Sequence, residues 1–145
     1  MQRITGVDSK IRLISTIVDS GVLCANSCNC VLSQNASTNI KYLLGILNSK
    51  AINFYFKQTS TNTNVTKGDL FDLPIPSLSS AQQQPIIDAV NKILEAKKQD
   101  TQVNTEVIDK CEREIDMRVY KLYDLTLEEA QIIDANVTAE EFEKY

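Results

Sequence analysis

The spacing of apolar positions changes character twice along this chain. From Ile11 to Val18 the run IRLISTIV is dense in β-branched residues, and after the turn signal Asp19-Ser20-Gly21 a second such run follows, VLCANSCNCVLS. Runs of this kind suit half-buried pleated surfaces, so the pattern predicts a hairpin or small meander, with Met1 to Ile4 as a further strand ended by Gly6. Beyond Gln34 the spacing lengthens. The cluster ASTN offers a helix cap at Ser37 or Thr38, and Ile40, Leu43, Leu44 and Leu47 repeat at helical intervals. Asn48-Ser49 interrupts, and Ser49 can cap a second short helix carrying Ile52, Phe54, Tyr55 and Phe56. Gly68 marks a turn, and DLFDLPIP reads as an extended connector stiffened by its prolines.

The second change falls after that connector. Ile86, Ile87, Val90, Ile93, Leu94 and Lys97 mark one face of a helix starting near Ser80, or with Pro85 in its first turn. A polar break from Gln99 to Asn104 precedes another face made by Val107, Ile108, Cys111, Ile115, Val119 and Leu122, which gives an antiparallel helical hairpin. Thr126 with Glu129 and Thr138 with Glu141 have capping-box spacing and start two further helices. The expected fold is α+β. A small N-terminal β-rich lobe with short helices occupies residues 1–76, and a C-terminal antiparallel helical hairpin with terminal helices occupies 77–145, as one compact unit.

Composition narrows the function. With 145 residues, 43% of them apolar, the chain can bury a core. No apolar run approaches the roughly 18 residues of a membrane span, and no signal-type core follows Met1, so a soluble cytoplasmic protein is expected. There is no histidine, and the CxxxCxC cluster of Cys24, Cys28 and Cys30, with the distant Cys111, lacks the usual structural-zinc spacing. On a strand over 22–32 the three clustered cysteines share a face with Val22 and Leu32, which predicts buried, reduced thiols and no metal site. Nucleotide-binding glycine loops and the HExxH pattern are absent, and Glu112, Glu114 and Asp116 are expected on a solvated helix face. No catalytic residue is assigned.

The net charge of -4 conceals an asymmetry. Residues 1–76 carry seven Lys/Arg against four Asp/Glu, and residues 77–145 carry eight against fifteen. No acid lies between Asp19 and Asp69, while Lys41, Lys50, Lys57 and Lys67 do. In that acid-free span sits KQTSTNTNVTKG, from Lys57 to Gly68. Amides match the adenine N6/N7 edge, lysines suit guanine or phosphate, and hydroxyls address either. The candidate DNA-contacting residues are therefore Lys57, Gln58, Ser60, Thr61, Asn62, Thr63, Asn64 and Lys67, with Arg3, Lys10 and Arg12 completing a basic surface. Two readings stand side by side: a double-stranded DNA contact, or a solvated loop of hydroxyls and amides that bond their own backbone.

Three stretches carry a family resemblance: YLLGILNSKAINFYFKQTS (Tyr42 to Ser60), LPIPSLSSAQQQPIIDAVNKIL (Leu73 to Leu94) and IDMRVYKLYDLTLEEAQII (Ile115 to Ile133). In order and spacing, over roughly residues 10–133, they resemble the C-terminal specificity domain of TaqI-like and type IIG restriction-modification adenine methyltransferases, and type I specificity subunits are similar. LISTIVDSGVLCANSCNCVL resembles the strand segment before the family's LNS helix. The resemblance implies a target recognition domain that binds double-stranded DNA beside a catalytic methyltransferase or nuclease domain, which uses S-adenosylmethionine and flips the target adenine. That catalytic domain's motifs are missing here, so the implied chain is a fragment with no cofactor of its own. Leu47 to Ser49 match the LNS turn, Leu73 to Pro76 the connector, Gln82 to Ile86 the start of the spacer helix and Tyr120 to Leu125 its end. Ala81 departs from the acid often found before the paired glutamines. The competing expectation is a protein-interaction module docking a partner through the helical hairpin.

Overall fold

Two short polar side chains punctuate the middle of the chain. In the computed structural model, which describes residues 1–7, 9, 11–32, 37–99 and 104–145, Asn39 caps α1 (Ile40–Asn48) by accepting from the Lys41 N–H. The cap is thus Asn39 rather than Ser37 or Thr38. Ser49 ends α1 and caps α2 (Lys50–Thr59), accepting from the Ile52 N–H. Its extended backbone, at φ -66° and ψ 153°, breaks the helical path and makes an elbow between α1 and α2.

A short helix α3 (Lys67–Phe71) stands where the sequence predicts a turn and an extended chain. Thr66 and Asp69 form a complete capping box that starts it. Residues 73–79 stay non-helical up to α4 (Ser80–Gln99), with Ser79 and Gln82 exchanging bonds across its first turn. The chain then forms α5 (Thr105–Leu122), α6 (Leu127–Ile133) capped by the Thr126–Glu129 box, and α7 (Ala139–Glu143) capped by Thr138.

The β-rich lobe is not formed. The fold is mostly helical, with 55% of residues in helix, and no sheet exists among the described residues. Two isolated bridges, Gln2 with Cys28 and Ile4 with Asn64, are all the strand pairing there is in that part. The run after Ile11 instead lies along the α1–α2 elbow, held by asparagine side chains. Asn53 Oδ1 accepts the N–H groups of Arg12 and Leu13 at 2.9 and 2.8 Å, while Asn48 exchanges bonds with the N–H and carbonyl of Ser15. Side-chain amides thus take the place of a partner strand. The following run has no surface to cover, since Leu23 is 95% and Leu32 81% exposed. β-propensity is a preference for a half-buried pleated surface, and without one it does not produce a sheet. Cys24, Cys28 and Cys30 are accordingly exposed free thiols, and Cys111 alone is buried as expected. The turn at Asp19-Ser20-Gly21 does form, with Gly21 at φ 91°.

One core joins the helices. Ile86, Val90 and Ile93 of α4 and Ile108, Cys111 and Ile115 of α5 are buried in the same cluster as Leu44, Leu47, Ile52 and Phe56 of α1 and α2. Helix α4 packs most closely on α5 and then on α1. Gly45 permits that second contact, because a Cβ there would lie 2.6 Å from Ile86 Cγ2. Three side chains tie the connector down: Tyr42 and Tyr123 donate to the carbonyls of Pro76 and Pro74, and buried Gln83 bridges the Ser37 and Leu78 carbonyls to the Asn39 N–H.

Candidate nucleic-acid interface

The polar stretch from Lys57 to Gly68 is shorter as a loop than as a sequence. Its first three residues complete α2, its last two open α3, and residues 60–66 span the gap. Val65 is wholly buried and anchors the span. Arg12 sits beneath it, 0% exposed, with its guanidinium 4.7 Å over the Phe56 ring. Its Nη1 donates to the Ser60 carbonyl at 2.7 Å and its Nη2 donates to the Asn62 carbonyl. The Thr5 N–H takes the Thr63 carbonyl, Asn29 Nδ2 takes that of Val65, and the Val65 N–H donates to Arg3. Every one of these bonds comes from residues 3 to 29, so the N-terminal segment is the mould in which the loop is cast.

The candidate residues divide accordingly. Thr61, Asn62, Thr63 and Asn64 are exposed in the loop, Lys57 and Gln58 are exposed on the last turn of α2, and Lys67 is exposed at the start of α3. Ser60 is buried at the helix end. Arg3 is exposed, donates to the Asn26 carbonyl, and meets the loop through its backbone. Arg12 corrects the expectation of a basic surface residue: it is interior, and its charge faces loop carbonyls. Lys10 lies outside the described residues. Gln58 also borders an apolar groove of about 420 Å³ formed with Phe54, Tyr55, Pro74 and Ile132.

The acid-free span is less cationic at its surface than its composition indicates. Lys41 donates to Asn91, and Lys50 lies 2.6 Å from Asp134 and 3.7 Å from Asp116. Lys57 and Lys67 have no such partner among the described residues, so the unpaired lysines flank the loop. Asp116, expected on a solvated face, is buried and accepts the Lys50 backbone N–H at 2.8 Å. Burial pushes its carboxyl up to about 6, against the pull of Lys50. At Asp134 burial acts in the same direction, but Lys50, the Asn136 N–H and Arg113 outweigh it and hold the carboxyl at about 2. Arg113 extends the network to Glu141 and the Asn136 carbonyl. These acids have a structural task, joining α2 to α5, α6 and α7.

Sequence reasoning missed Asn53, Asn29 and the Lys50–Asp116 pair. Asn53 had a readable signal, an amide between Ile52 and Phe56 on the buried face of an amphipathic helix. Asn29 and Asp116 had none, because their partners are 36 and 66 residues away.

Among the described residues no group of three or more Cys, Asp or Glu is placed to hold a metal, and no helix is long and apolar enough to cross a membrane. What the geometry defines is a helical scaffold that presents a moulded polar loop flanked by Lys57 and Lys67, neither of which has an ion-pair partner among the described residues. The sequence places it more narrowly. The family model of the TaqI-like C-terminal specificity domain matches residues 2–75, just over half of the chain, and the chain belongs to that family. The matched region contains α1 to α3, the loop and its mould, and stops within the connector before α4. No curated protein and no solved structure matches the chain.

Proposed function

We propose that this chain is the DNA sequence-recognition domain of a restriction-modification enzyme or adenine-specific DNA methyltransferase, binding the target site for a separate catalytic domain. The observation that carries the reading is the specificity-domain match over residues 2–75. Lys57 and Lys67 neutralise backbone phosphates on either side of the loop, Arg3 adds charge beside it, and the side chains of Gln58, Asn62 and Asn64, with the Thr61 and Thr63 hydroxyls, address base edges. Arg12 acts from beneath, holding loop carbonyls. Residues 77–145 act as the helical spacer behind a recognition unit of residues 1–76. The catalytic domain, of the methyltransferase type with or without a nuclease and of type IIG organisation, supplies S-adenosylmethionine chemistry in a cytoplasmic phage-defence enzyme.

Selection from a randomised duplex library tests this reading. A reproducible motif is expected for the chain, altered in Asn62→Ala or Asn64→Ala, whereas Lys57→Ala and Lys67→Ala weaken binding to all duplexes alike. Recovery of no enriched sequence by the wild-type chain would count against sequence recognition. The purified chain is also expected to transfer no labelled methyl group from S-adenosylmethionine to DNA, and incorporation above background would overturn the non-catalytic assignment.

A further inference from the structure

The direction of the peptide groups in residues 60–65 adds a property that their side chains do not reveal. All peptides here are trans, so each N–H points opposite to the carbonyl of the residue before it. The Ser60 and Asn62 carbonyls turn inward onto the Arg12 guanidinium, and the Thr63 carbonyl turns onto the Thr5 N–H. The N–H groups of Thr61, Thr63 and Asn64 therefore face away from that mould, and none of them has a partner among the described residues. All three residues are exposed. A buried cation thus orders a row of peptide dipoles with their positive ends outward, between Lys57 and Lys67, which have no ion-pair partner among the described residues; the acid next in sequence, Asp69, has its carboxylate taken up by the Thr66 N–H and hydroxyl.

We propose that the amides of Thr61, Thr63 and Asn64 bind a phosphodiester of duplex DNA, and that Arg12 is the positioning residue that makes this possible. The proposal rests on the DNA-recognition reading above and sharpens it: the loop backbone fixes register on the DNA, which leaves the outward side chains free to reach base edges. Backbone N–H groups serve as phosphate donors in protein–DNA interfaces, and a charged acceptor strengthens each such bond. Arginine is required at position 12, because its planar fork holds two carbonyls in fixed geometry and a lysine ammonium does not.

The test is amide NMR of the whole 145-residue chain titrated with two duplexes of unrelated sequence. The Thr61, Thr63 and Asn64 amide resonances are expected to move in both titrations, by similar amounts. In Arg12→Lys, which keeps the charge, those shifts are lost and affinity for both duplexes falls at least about tenfold, the loss of one charge-assisted hydrogen bond or more. Lys57→Ala keeps the shifts. A second variant, Thr63→Pro, removes an outward amide with no partner among the described residues and leaves Arg12 in place, so the test does not depend on Arg12→Lys folding; it too is expected to weaken both duplexes. Shifts confined to the side-chain amides of Asn62 and Asn64, or full binding by Arg12→Lys and Thr63→Pro, overturn the phosphate assignment while the DNA reading stands. Saturation of the same amides by micromolar inorganic phosphate, with duplex excluded, assigns a free-phosphate site and overturns the DNA backbone as the ligand. Absence of any duplex-induced shift in the wild-type chain overturns both this inference and the reading beneath it.

Discussion

In the α4–α5 hairpin, Ile86, Val90, Ile93, Ile108 and Ile115 are all buried in one apolar cluster, while polar side chains such as Gln83, Arg113 and Asp116 bond outward to other parts of the chain. Residues 1–32 differ in kind. Their buried members among the described residues are Thr5, Arg12 and Leu13, two of them polar, and they are held by N–H groups, carbonyls and side-chain amides of the α1–α2 elbow and the loop. Apolar burial is non-directional, so it stabilises the hairpin as a block. Hydrogen bonds are directional, so they set the position of individual carbonyls. The contrast assigns stability to one region and the shape of the loop to the other.

The largest expected effects test that division. Ile115→Ala removes a side chain 5% exposed in the shared core and is expected to cost about 3 kcal/mol, read as a lower urea midpoint for the whole chain. Asn53→Ala leaves the N–H groups of Arg12 and Leu13 without their acceptor and is expected to cost about 2 kcal/mol. Its signature is local: hydrogen exchange should rise in residues 11–15 and 60–65 more than in α4 and α5. Equal loosening of both regions in the Asn53 variant would erase the comparison.

A pH experiment sharpens it where α5 meets α2, the helix whose Asn53 holds residues 12 and 13. Asp116 titrates at about 6 in the folded chain and near 3.9 when unfolded. Between those values the folded chain keeps a proton that the unfolded chain has lost, so stability falls as pH rises from about 4 to about 6. Asp134 is held at about 2, so below pH 4 its contribution has the opposite sign, and stability is lost as pH drops toward 2. Asp116→Asn is expected to remove the upper fall, a difference on the order of 2 kcal/mol, and to leave the acid limb in place. Identical urea midpoints for the variant and the wild type at pH 4 and pH 7 would rule out Asp116 as its source.

Much of the helical part was legible in the sequence because its causes are local. Ser49, Thr126 and Thr138 cap helices at the positions their spacing indicates, and the 3.6-residue pattern of α4 and α5 needs no distant partner to be read. The N-terminal third was misread for the complementary reason. IRLISTIV has strand composition, yet whether it pairs depends on a neighbouring strand, and the neighbour it meets is a pair of asparagines on helices more than 30 residues away. Arg12 illustrates the same limit: an arginine among β-branched residues looks like a surface charge, and only the fold brings two carbonyls from residues 60 and 62 to its guanidinium. Thr66-x-x-Asp69, by contrast, was a readable helix start masked by the expectation of a turn at Gly68.

The smallest expected effects lie at the surface and bear on function. Lys57→Ala and Lys67→Ala should leave stability almost unchanged, since neither lysine has a partner among the described residues, and each should lower the salt dependence of DNA affinity by about one unit of slope. That dependence, measured for the whole chain with duplex DNA from low to moderate salt, tests the central claim most directly. If Lys57 and Lys67 neutralise phosphates, the logarithm of the binding constant falls linearly with the logarithm of salt concentration, with a shallower slope in each lysine variant. Binding that is insensitive to salt, or slopes unchanged in both variants, would contradict it.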